Sequence, residues 1–423
     1  MPERKLIDEC VHCGFCLPSC PTYQSWGQEM DSPRGRIVLM KSLAGGAPPS
    51  PEVVRHFDRC LGCMTCMTAC PSGVNYEALI EDTRAEVERG RRRPAGDRLF
   101  RAALFWMFPH PRRLRLAAAA QLVYVKSGLR WLAHALRLVR LLPTRVRALE
   151  ALMPPVSLGL LTARLPARAP AAGARRARVA LLAGCVQRVY FPQVNQATLR
   201  VLAAEGCEVV VPRRLGCCGA LSLHVGRDDE ARRLARAAIA AIERARVDHV
   251  VVNAAGCGSA MKHWDRLLDG DAAWRARAAA AAARVVDVSE LLVRLGPSAE
   301  RHPLPVALAY HDACHLQHAQ RIRSQPRELL AAIPGVKLTE LADSDQCCGS
   351  AGVYNLLEPD SAREIGRRKV DAVLAAAPEL LVSANPGCTL HIQMLLRERG
   401  HAIRTAHVIE VIDASIRGAA LPG

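Results

Sequence analysis

Cysteines near the N-terminus occur in two copies of one spacing pattern, C-x2-C-x2-C-x3-C-P. The first copy is Cys10, Cys13, Cys16 and Cys20 followed by Pro21, and the second is Cys60, Cys63, Cys66 and Cys70 followed by Pro71. In this pattern three closely spaced thiolates bind one 4Fe–4S cluster and the fourth binds the neighbouring cluster. We therefore expect two clusters, cluster 1 held by Cys10, Cys13, Cys16 and Cys70, and cluster 2 held by Cys60, Cys63, Cys66 and Cys20.

The alternative for these eight thiols is a pair of zinc sites, because C-x2-C pairs also bind zinc. Zinc sites combine two such pairs that lie a dozen or more residues apart, whereas each group here falls within one short segment ending in Cys-Pro. The pattern favours iron–sulfur clusters. A helix predicted to begin at Asp31 or Ser32 lies between the motifs, and its Arg34 and Arg36 either balance cluster charge or face solvent.

A second set of cysteines reveals an internal repeat in the C-terminal part of the chain. Cys185, Cys217, Cys218 and Cys257 correspond to Cys314, Cys347, Cys348 and Cys388, at offsets of 129, 130, 130 and 131 residues. Thiols gathered from three separate loops are suited to a soft metal, so we expect a further iron–sulfur or other metal centre in each copy. The alternative is packing cysteines with a redox-active thiol pair.

Histidines accompany the cysteines of the second copy. His311, His315 and His318 lie around Cys314, and His391 follows Cys388 by three residues. They could be ligands or proton relays, and the alternative is an ordinary hydrogen-bonding role. Cys207 has no counterpart in the second copy, so we expect it in the core.

Strands alternate with helices around the repeated cysteines. The apolar pattern predicts strands at 179–183, 208–211, 249–253, 306–310, 337–341 and 380–384, and long amphipathic helices at 228–246 and 359–376. This alternation predicts parallel sheets whose loops at the carboxyl ends of the strands form the site. The expected fold is multidomain: an α-helical two-cluster 4Fe–4S ferredoxin-like head followed by a duplicated α/β domain with parallel strands.

The length of 423 residues exceeds one compact domain. We expect a ferredoxin-like domain at 1–90, a basic helical segment and linker at 91–178, and cysteine-rich domains at 179–300 and 301–423. The basic segment predicts two or three amphipathic helices ending near Pro143 and Pro154, followed by a flexible connection at 162–178. Such helices could lie on an anionic membrane or dock a partner, and the alternative is a linker that packs on the next domain.

The formal charge of +17 first suggests an anionic partner. Only six of the 57 basic residues are lysine and aromatic residues make up 4% of the chain, so we expect a general arginine bias and no nucleic-acid partner. The cysteine content and the absence of a visible Sec signal in the first ten residues indicate a reducing, cytoplasmic location. Apolar runs shorter than about 20 residues predict no membrane span, and a peripheral position on the cytoplasmic face of the inner membrane stays open.

Six segments together resemble the iron–sulfur subunit of bacterial glycolate oxidase, also called glycolate dehydrogenase. They are residues 10–23, 31–37, 58–61, 70–74, 346–352 and 383–388. The resemblance covers nearly the whole chain apart from the basic middle segment. Its ferredoxin and Cys-Cys-Gly motifs are shared with the iron–sulfur subunits of lactate-utilisation systems, of glycerol-3-phosphate dehydrogenase and of heterodisulfide reductase.

The resemblance implies a subunit of a 2-hydroxy-acid oxidoreductase complex. A separate flavin subunit, holding FAD, would oxidise glycolate to glyoxylate, and this chain would pass the electrons to a quinone or another acceptor. The chain shows no G-x-G-x-x-G dinucleotide signature, which agrees with oxidation on a partner. A heterodisulfide-reductase-like catalytic role is the alternative, but that family ends each repeat in C-x-x-C, where this chain has Ala260 and His391.

Overall fold

The computed structural model describes residues 2–90 and 93–421, so Met1, Arg91, Arg92, Pro422 and Gly423 lie outside the described residues. The N-terminal head is helical: α1 Arg4–Asp8, α2 Pro21–Trp26, α3 Pro33–Ala44, α4 Pro51–Arg59, α5 Thr65–Ala69 and α6 Tyr76–Gly90. Buried apolar side chains from α3, α4 and α6 form its core. The Ser32 hydroxyl accepts a hydrogen bond from the Gly35 amide and caps α3, which settles the choice between Asp31 and Ser32.

The basic segment contains more and shorter helices than the two or three expected. They are α7 Ala95–Met107, α8 Pro111–Lys126, α9 Leu129–Ala135, α10 Thr144–Ala151 and α11 Leu158–Thr162, with a 3-10 turn at Leu138–Leu141. Gly128, with a φ of 79°, separates α8 from α9, and Pro143 precedes α10. These interruptions divide a continuous amphipathic pattern into short helices.

The first repeat is a five-stranded sheet covered by helices. Its strands are β1 Arg168–Ala169, β2 Ala177–Leu181, β3 Cys207–Val210, β4 His249–Val252 and β5 Val285–Asp287, in the order β1-β3-β2-β4-β5. Its helices are α12 Val186–Tyr190, α13 Pro192–Ala204, α14 Ala220–Leu223, α15 Asp228–Ala245, α16 Ala255–Lys262, α17 Trp264–Leu267, α18 Arg275–Ala282 and α19 Val288–Leu295. All pairs are parallel except β1 with β3.

The second repeat has the same topology without the antiparallel strand. Its strands are β6 Val306–His311, β7 Val336–Thr339, β8 Leu380–Ser383 and β9 Arg404–His407, in the parallel order β7-β6-β8-β9. Its helices are α20 Ser324–Ala331, α21 Tyr354–Leu357, α22 Pro359–Ala376, α23 Pro386–Glu398 and α24 Val408–Arg417, with a π-helical turn at His315–Ala319. Helix α13 of the first repeat packs on α24, and Arg200 pairs with Asp413 at 2.6 Å.

The fold class expected from the sequence is confirmed, with two differences of detail. The pattern missed the last strand of each sheet, because β5 has only three residues and β9, Arg404–His407, contains no apolar run. The flexible connection expected at 162–178 is wrong, since Arg168–Ala169 pairs with β3 and the Ala172 amide donates to the Ala203 carbonyl.

Candidate metal centres

The thiols predicted for cluster 1 lie at the exposed end of the head. Cys10, Cys13, Cys16 and Cys70 line one small cavity of about 30 Å³ together with Phe15 and Arg34. Cys13 is exposed. Val11 and Phe15 beside it are 68% and 66% exposed, so two large apolar side chains lie on the surface next to these thiols. The grouping of Cys70 with the first motif fits the crossed ligation of two cubane clusters.

The thiols predicted for cluster 2 are buried within the head. Burial raises the pKa of Cys66 well above its ordinary value, and the neighbouring thiols of Cys63, Cys20 and Cys60 raise it further. Cys20 thus lies with the second motif, as crossed ligation requires. Cys60 differs, because the positive charges of Arg36 and Arg84 act against its burial and its pKa is lowered. Thiols such as Cys66 that are costly to ionise without a bound cation are suited to a metal cluster, which stabilises the thiolates.

Hydrogen bonds reach the sulfur atoms of this second group. The Gly62 amide donates to Cys60 Sγ at 3.4 Å, and the Thr65 hydroxyl donates to Cys63 Sγ at 3.4 Å. Cys20 Sγ lies 3.1 Å from Thr22 Oγ1. Such donors stabilise the more negative, reduced state of a cluster and so raise its reduction potential.

The two arginines between the motifs have different environments. Arg36 is 1% exposed, and its guanidinium donates to Thr22 Oγ1 at 3.2 Å and pairs with Asp31 at 3.3 Å. Because Thr22 itself contacts Cys20, Arg36 places a buried positive charge next to the cluster 2 thiols. Arg34 instead pairs with Glu29 at 2.7 Å near the surface. The charge-balancing role considered for both is supported by the geometry of Arg36.

In the first repeat the four cysteines meet at the carboxyl edge of the sheet. Cys185 follows β2, Cys217 and Cys218 follow β3, and Cys257 lies in the first turn of α16 after β4. The Sγ atoms of Cys185 and Cys217 are 3.8 Å apart, and Cys218 shares side-chain hydrogen bonds with Cys217 and Cys257. The loops therefore bring the thiols into one continuous row.

The second repeat arranges its thiols in the same row. The Sγ atoms of Cys314 and Cys347 are 4.0 Å apart, and the Cys348 thiol lies next to those of Cys347 and Cys388. The side-chain amide of Asn385 donates to Cys388 Sγ at 3.2 Å. One imidazole nitrogen of His311 and the Sγ atoms of Cys348 and Cys388 lie within 4.8 Å of one another.

The four histidines predicted to accompany the cysteines have different surroundings. His391 Nε2 lies 3.2 Å from the Ala362 carbonyl, and His318 lies 2.9 Å from both Thr68 Oγ1 and the Asp345 carbonyl, so both have ordinary partners. His315 Nδ1 lies 3.5 Å from Cys314 Sγ. Burial lowers the pKa of His311 to about 3, so its ring is neutral at pH 7.

Two polar residues near these thiols escaped the sequence interpretation. Lys369 is buried, and its Nζ donates to the Asp343 carbonyl at 2.6 Å while its charge acts on Cys348 and Cys347. The signal was available, because Lys369 falls in the apolar stripe of α22, where a lysine is unusual. Asn385 gave no signal beyond its position before the helix. Cys207 is buried in β3, as expected of a core residue.

The head and the second repeat share a buried junction. The thiol of Cys63 in the head lies beside that of Cys347, and both residues belong to one apolar cluster with Leu61 and Ile365. The Tyr354 hydroxyl donates to the Arg59 carbonyl at 3.1 Å across the same junction. The thiols of cluster 2 and of the second repeat are therefore in direct contact.

A cavity of about 190 Å³ lies between the two repeats. Cysteines of both sets border it, namely Cys185, Cys217, Cys218, Cys257, Cys314, Cys348 and Cys388. The linker covers it with apolar side chains that include Phe108, Leu149, Leu152 and Met153. None of the helices in the described parts of the chain is long and apolar enough to cross a bilayer.

Comparisons with known families agree with this arrangement. Residues 6–74 match the 4Fe-4S dicluster domain, 179–262 and 308–393 match the cysteine-rich domain, and 96–153 match the linker region of glycolate oxidase iron-sulfur subunits. A dicluster head joined to a duplicated cysteine-rich domain defines an iron–sulfur protein of electron transfer.

Similar proteins identify the family within that class. The chain is 38% identical to the probable glycolate oxidase iron-sulfur subunit of Bacillus subtilis and 35% identical to the glycolate oxidase iron-sulfur subunit of Escherichia coli. Each alignment covers 97% of this chain and 94% of the relative. Lactate utilization protein A of Exiguobacterium sp. is 31% identical over 57% of this chain and 99% of its own length. The chain belongs to the family of glycolate oxidase iron–sulfur subunits.

Proposed function

We propose that this chain is the electron-transfer subunit of a complex that oxidises glycolate. A separate subunit with FAD removes two electrons and two protons from glycolate to give glyoxylate, and this chain delivers the electrons to a quinone, which takes up two protons to become quinol. The 4Fe–4S clusters, when bound, supply centres that accept one electron each. The observation that most supports this role is the series of thiols from exposed Cys13 through Cys63 to Cys347.

The surface around Cys13 is the face that we assign to the flavin partner. Val11 and Phe15 expose most of their surface beside the cluster 1 thiols, and aromatic side chains are enriched at the centres of protein interfaces. Docking there would cover two exposed apolar residues and shorten the distance from the flavin to cluster 1. Electrons would then enter at the exposed end of the head.

The cavity between the repeats is the site that we assign to the quinone. A quinone ring is flat and apolar with two carbonyl oxygens, and ligand sites of this kind are concave, mainly apolar and supplied with a few polar groups. Phe108, Leu152 and Met153 provide apolar walls, and His224 and His315 reach the same cavity. The thiols of the second repeat border it, so the proposed acceptor lies next to the end of the thiol series.

The linker helices present a face suited to an anionic membrane. Trp131 and Leu141 are 74% and 82% exposed, and further exposed apolar residues of the segment are Trp106, Leu116, Val123, Leu129 and Leu136. Residues 98–149 contain no Asp or Glu, and their basic residues are Arg98, Arg101, Arg112, Arg113, Arg115, Lys126, Arg130, Arg137, Arg140, Arg145 and Arg147. Exposed apolar side chains among positive charges are typical of helices that lie in a lipid interface.

Vesicle flotation tests the membrane face. The purified complex should float with vesicles that contain phosphatidylglycerol and remain behind with phosphatidylcholine alone. Trp131→Ser combined with Leu136→Ser should reduce flotation at least about tenfold, because burial of each apolar side chain contributes about 1.5 to 3 kcal/mol. The control is Phe15→Ser, which removes an exposed aromatic ring from the head. Equal flotation of both variants would contradict the assignment.

Lactate is a second candidate substrate for the partner, and the similarity to Lactate utilization protein A favours it over glycerol 3-phosphate. A heterodisulfide-reductase-like catalytic role has weaker support. The position that would hold the last cysteine of the second repeat is His391, whose ring bonds to the Ala362 carbonyl within the core.

Parallel assays with four donors test the proposed function. A tagged chain is purified anaerobically with its native partners, and dye reduction is measured with glycolate, D-lactate, L-lactate and glycerol 3-phosphate. We expect activity with glycolate that is lost in Cys63→Ser and retained in the matched control Cys207→Ser, whose cysteine lies in β3. Activity with lactate alone would show that glycolate is not the substrate, while the electron-transfer role would still hold. No activity with any donor would contradict both the substrate and the role.

A further inference from the structure

The second repeat brings three metal-binding side chains together from separate segments. His311 ends β6, Cys348 follows β7, and Cys388 lies in the first turn of α23. Their ligand atoms lie within 4.8 Å of one another, and all three residues are buried. We propose that His311, Cys348 and Cys388 bind one soft transition-metal ion, zinc or iron, through an imidazole nitrogen and two thiolates.

The environment of His311 points to a bound ion. Its side chain is 1% exposed, and neither ring nitrogen has a hydrogen-bond partner among the residues that the structure describes. Leaving a buried polar atom unpaired is costly, so buried histidines normally find partners. His318 and His391 do so in the same repeat. Coordination through one nitrogen would remove much of this cost at His311.

The spacing of the three ligands suits a single ion. Zinc bonds of about 2.0 to 2.3 Å in a tetrahedral site separate neighbouring ligand atoms by about 3.5 Å, so shifts of the order of 1 Å would complete the site. The thiolates on different irons of a cubane are farther apart than this. Mixed nitrogen and sulfur ligands are those that zinc and iron prefer. Cys347, which contacts Cys348, lies next to the site as a further thiol.

Neighbouring groups stabilise the two thiolates. The Asn385 amide donates to Cys388 Sγ at 3.2 Å, and the Ser350 backbone bonds to Cys348. The buried ammonium of Lys369 adds a positive charge close to Cys348. Outer groups of this kind orient metal ligands and favour their deprotonated form.

The first repeat lacks each of these additions. The duplicated positions are Leu182 for His311, Ala254 for Asn385 and Ala238 for Lys369, as the cysteine offsets and the two 18-residue helices α15 and α22 show. Its four thiols are present in the same row. The mixed nitrogen and sulfur site is therefore a property of the second repeat alone within this duplication, and it goes beyond the electron-transfer role proposed above.

Elemental analysis and X-ray absorption test the site on the purified, cluster-loaded chain. We expect zinc or iron beyond the iron of the clusters, with a nitrogen neighbour at about 2.0 Å and sulfur neighbours at about 2.3 Å. His311→Leu copies the first repeat and should lose this ion while keeping the EPR signals of the head clusters. The control His391→Gln alters a buried histidine outside the site and should keep the ion.

Two further results decide the proposal. If His311→Leu fails to fold, Cys388→Ala should lose the same ion, which keeps the proposal testable. An unchanged metal content and an unchanged nitrogen neighbour in a folded His311→Leu variant would overturn it, as would a wild-type chain with no metal beyond its clusters. These measurements need no glycolate, so their failure is distinct from failure of the proposed function.

Discussion

The two repeats have the same strand order and the same row of four thiols, yet their surroundings differ. The first repeat has Leu182 and Ala238 where the second has His311 and Lys369. In the second repeat, Cys347 also lies against Cys63 of the head. The thiols thus have the same arrangement in both repeats, while among the described residues only the second repeat has the polar neighbours His311 and Lys369 and a thiol beside Cys63 of the head. We infer that the second repeat continues the electron path and that the first mainly completes the cavity.

The largest effect should come from breaking the link to the head. Cys347→Ser removes the thiol that contacts Cys63, and it should slow quinone reduction by about 100-fold or more, a loss comparable to the strongest outer-group effects at metal sites. Stopped-flow measurement of glycolate-driven reduction of a soluble quinone checks this.

The matched control is Cys217→Ser, the same change at the duplicated position. It should lower the rate far less than Cys347→Ser does, because Cys217 borders the quinone cavity but lies outside the path from the head. Equal losses in the two variants would remove the distinction between the repeats.

A second test concerns the buried positive charge of Arg36 in the head. Arg36→Met should lower the reduction potential of cluster 2 and reduce the free energy of unfolding by about 3 kcal/mol, because Asp31 loses a buried partner. Redox titration followed by EPR, together with thermal melting, measures both. Arg34→Met, a change at the surface, should alter neither by more than a small amount, and a similar response of both variants would argue against the role of Arg36.

The N-caps of α19 and α24, the helices that follow the last strand of each sheet, predict a different pH dependence of stability in the two repeats. In the first repeat, burial raises the pKa of Asp287 to about 6, with Ser289, Lys262 and Glu290 as its neighbours. The folded state therefore holds this proton more tightly than the unfolded state, and stability should fall by about 3 kcal/mol as pH rises from about 4 to 6. Asp287→Asn keeps a capping oxygen but cannot titrate. In this variant the melting temperature should no longer fall as pH rises through this range.

In the second repeat, the capping box of α24 contains two groups whose contributions to stability change with pH in opposite directions. Burial lowers the pKa of His407 to about 4, so its contribution to stability rises with pH from about 4 to 6.5. Burial raises the pKa of Glu410 to about 7, so its contribution falls from about 4.5 to 7. The two should largely cancel, and Glu410→Gln should reveal the rise due to His407. A flat profile in that variant would contradict the comparison.

The smallest effect should follow the loss of one hydrogen bond. Asn385→Ala copies Ala254 of the first repeat and removes the donor to Cys388 Sγ. The free energy of unfolding should fall by about 1 kcal/mol, and the metal affinity of the second repeat should fall about tenfold. Competition with a chelator measures the affinity, and an unchanged affinity would show that Asn385 does not stabilise the thiolate.

The sequence predicted what depends on local pattern and repetition. The strands at 249–253 and 380–384 and the helix at 359–376 follow from apolar periodicity, and the cysteine offsets revealed the duplication. The contact of Cys63 with Cys347 depends on how the head packs against a segment nearly 300 residues away, which periodicity does not encode. The different burial of Arg34 and Arg36 likewise depends on tertiary packing.

Freeze-quench EPR of the complete complex shows whether electrons leave the head through Cys347. The anaerobic complex is mixed with glycolate, and the reduced 4Fe–4S signals are followed over time in wild type and in Cys347→Ser. The head clusters should be reduced in both proteins, and reoxidation by quinone should be fast only in wild type. Head clusters that stay oxidised while the partner flavin is reduced, or equally fast reoxidation in both proteins, would rule out a path through Cys347.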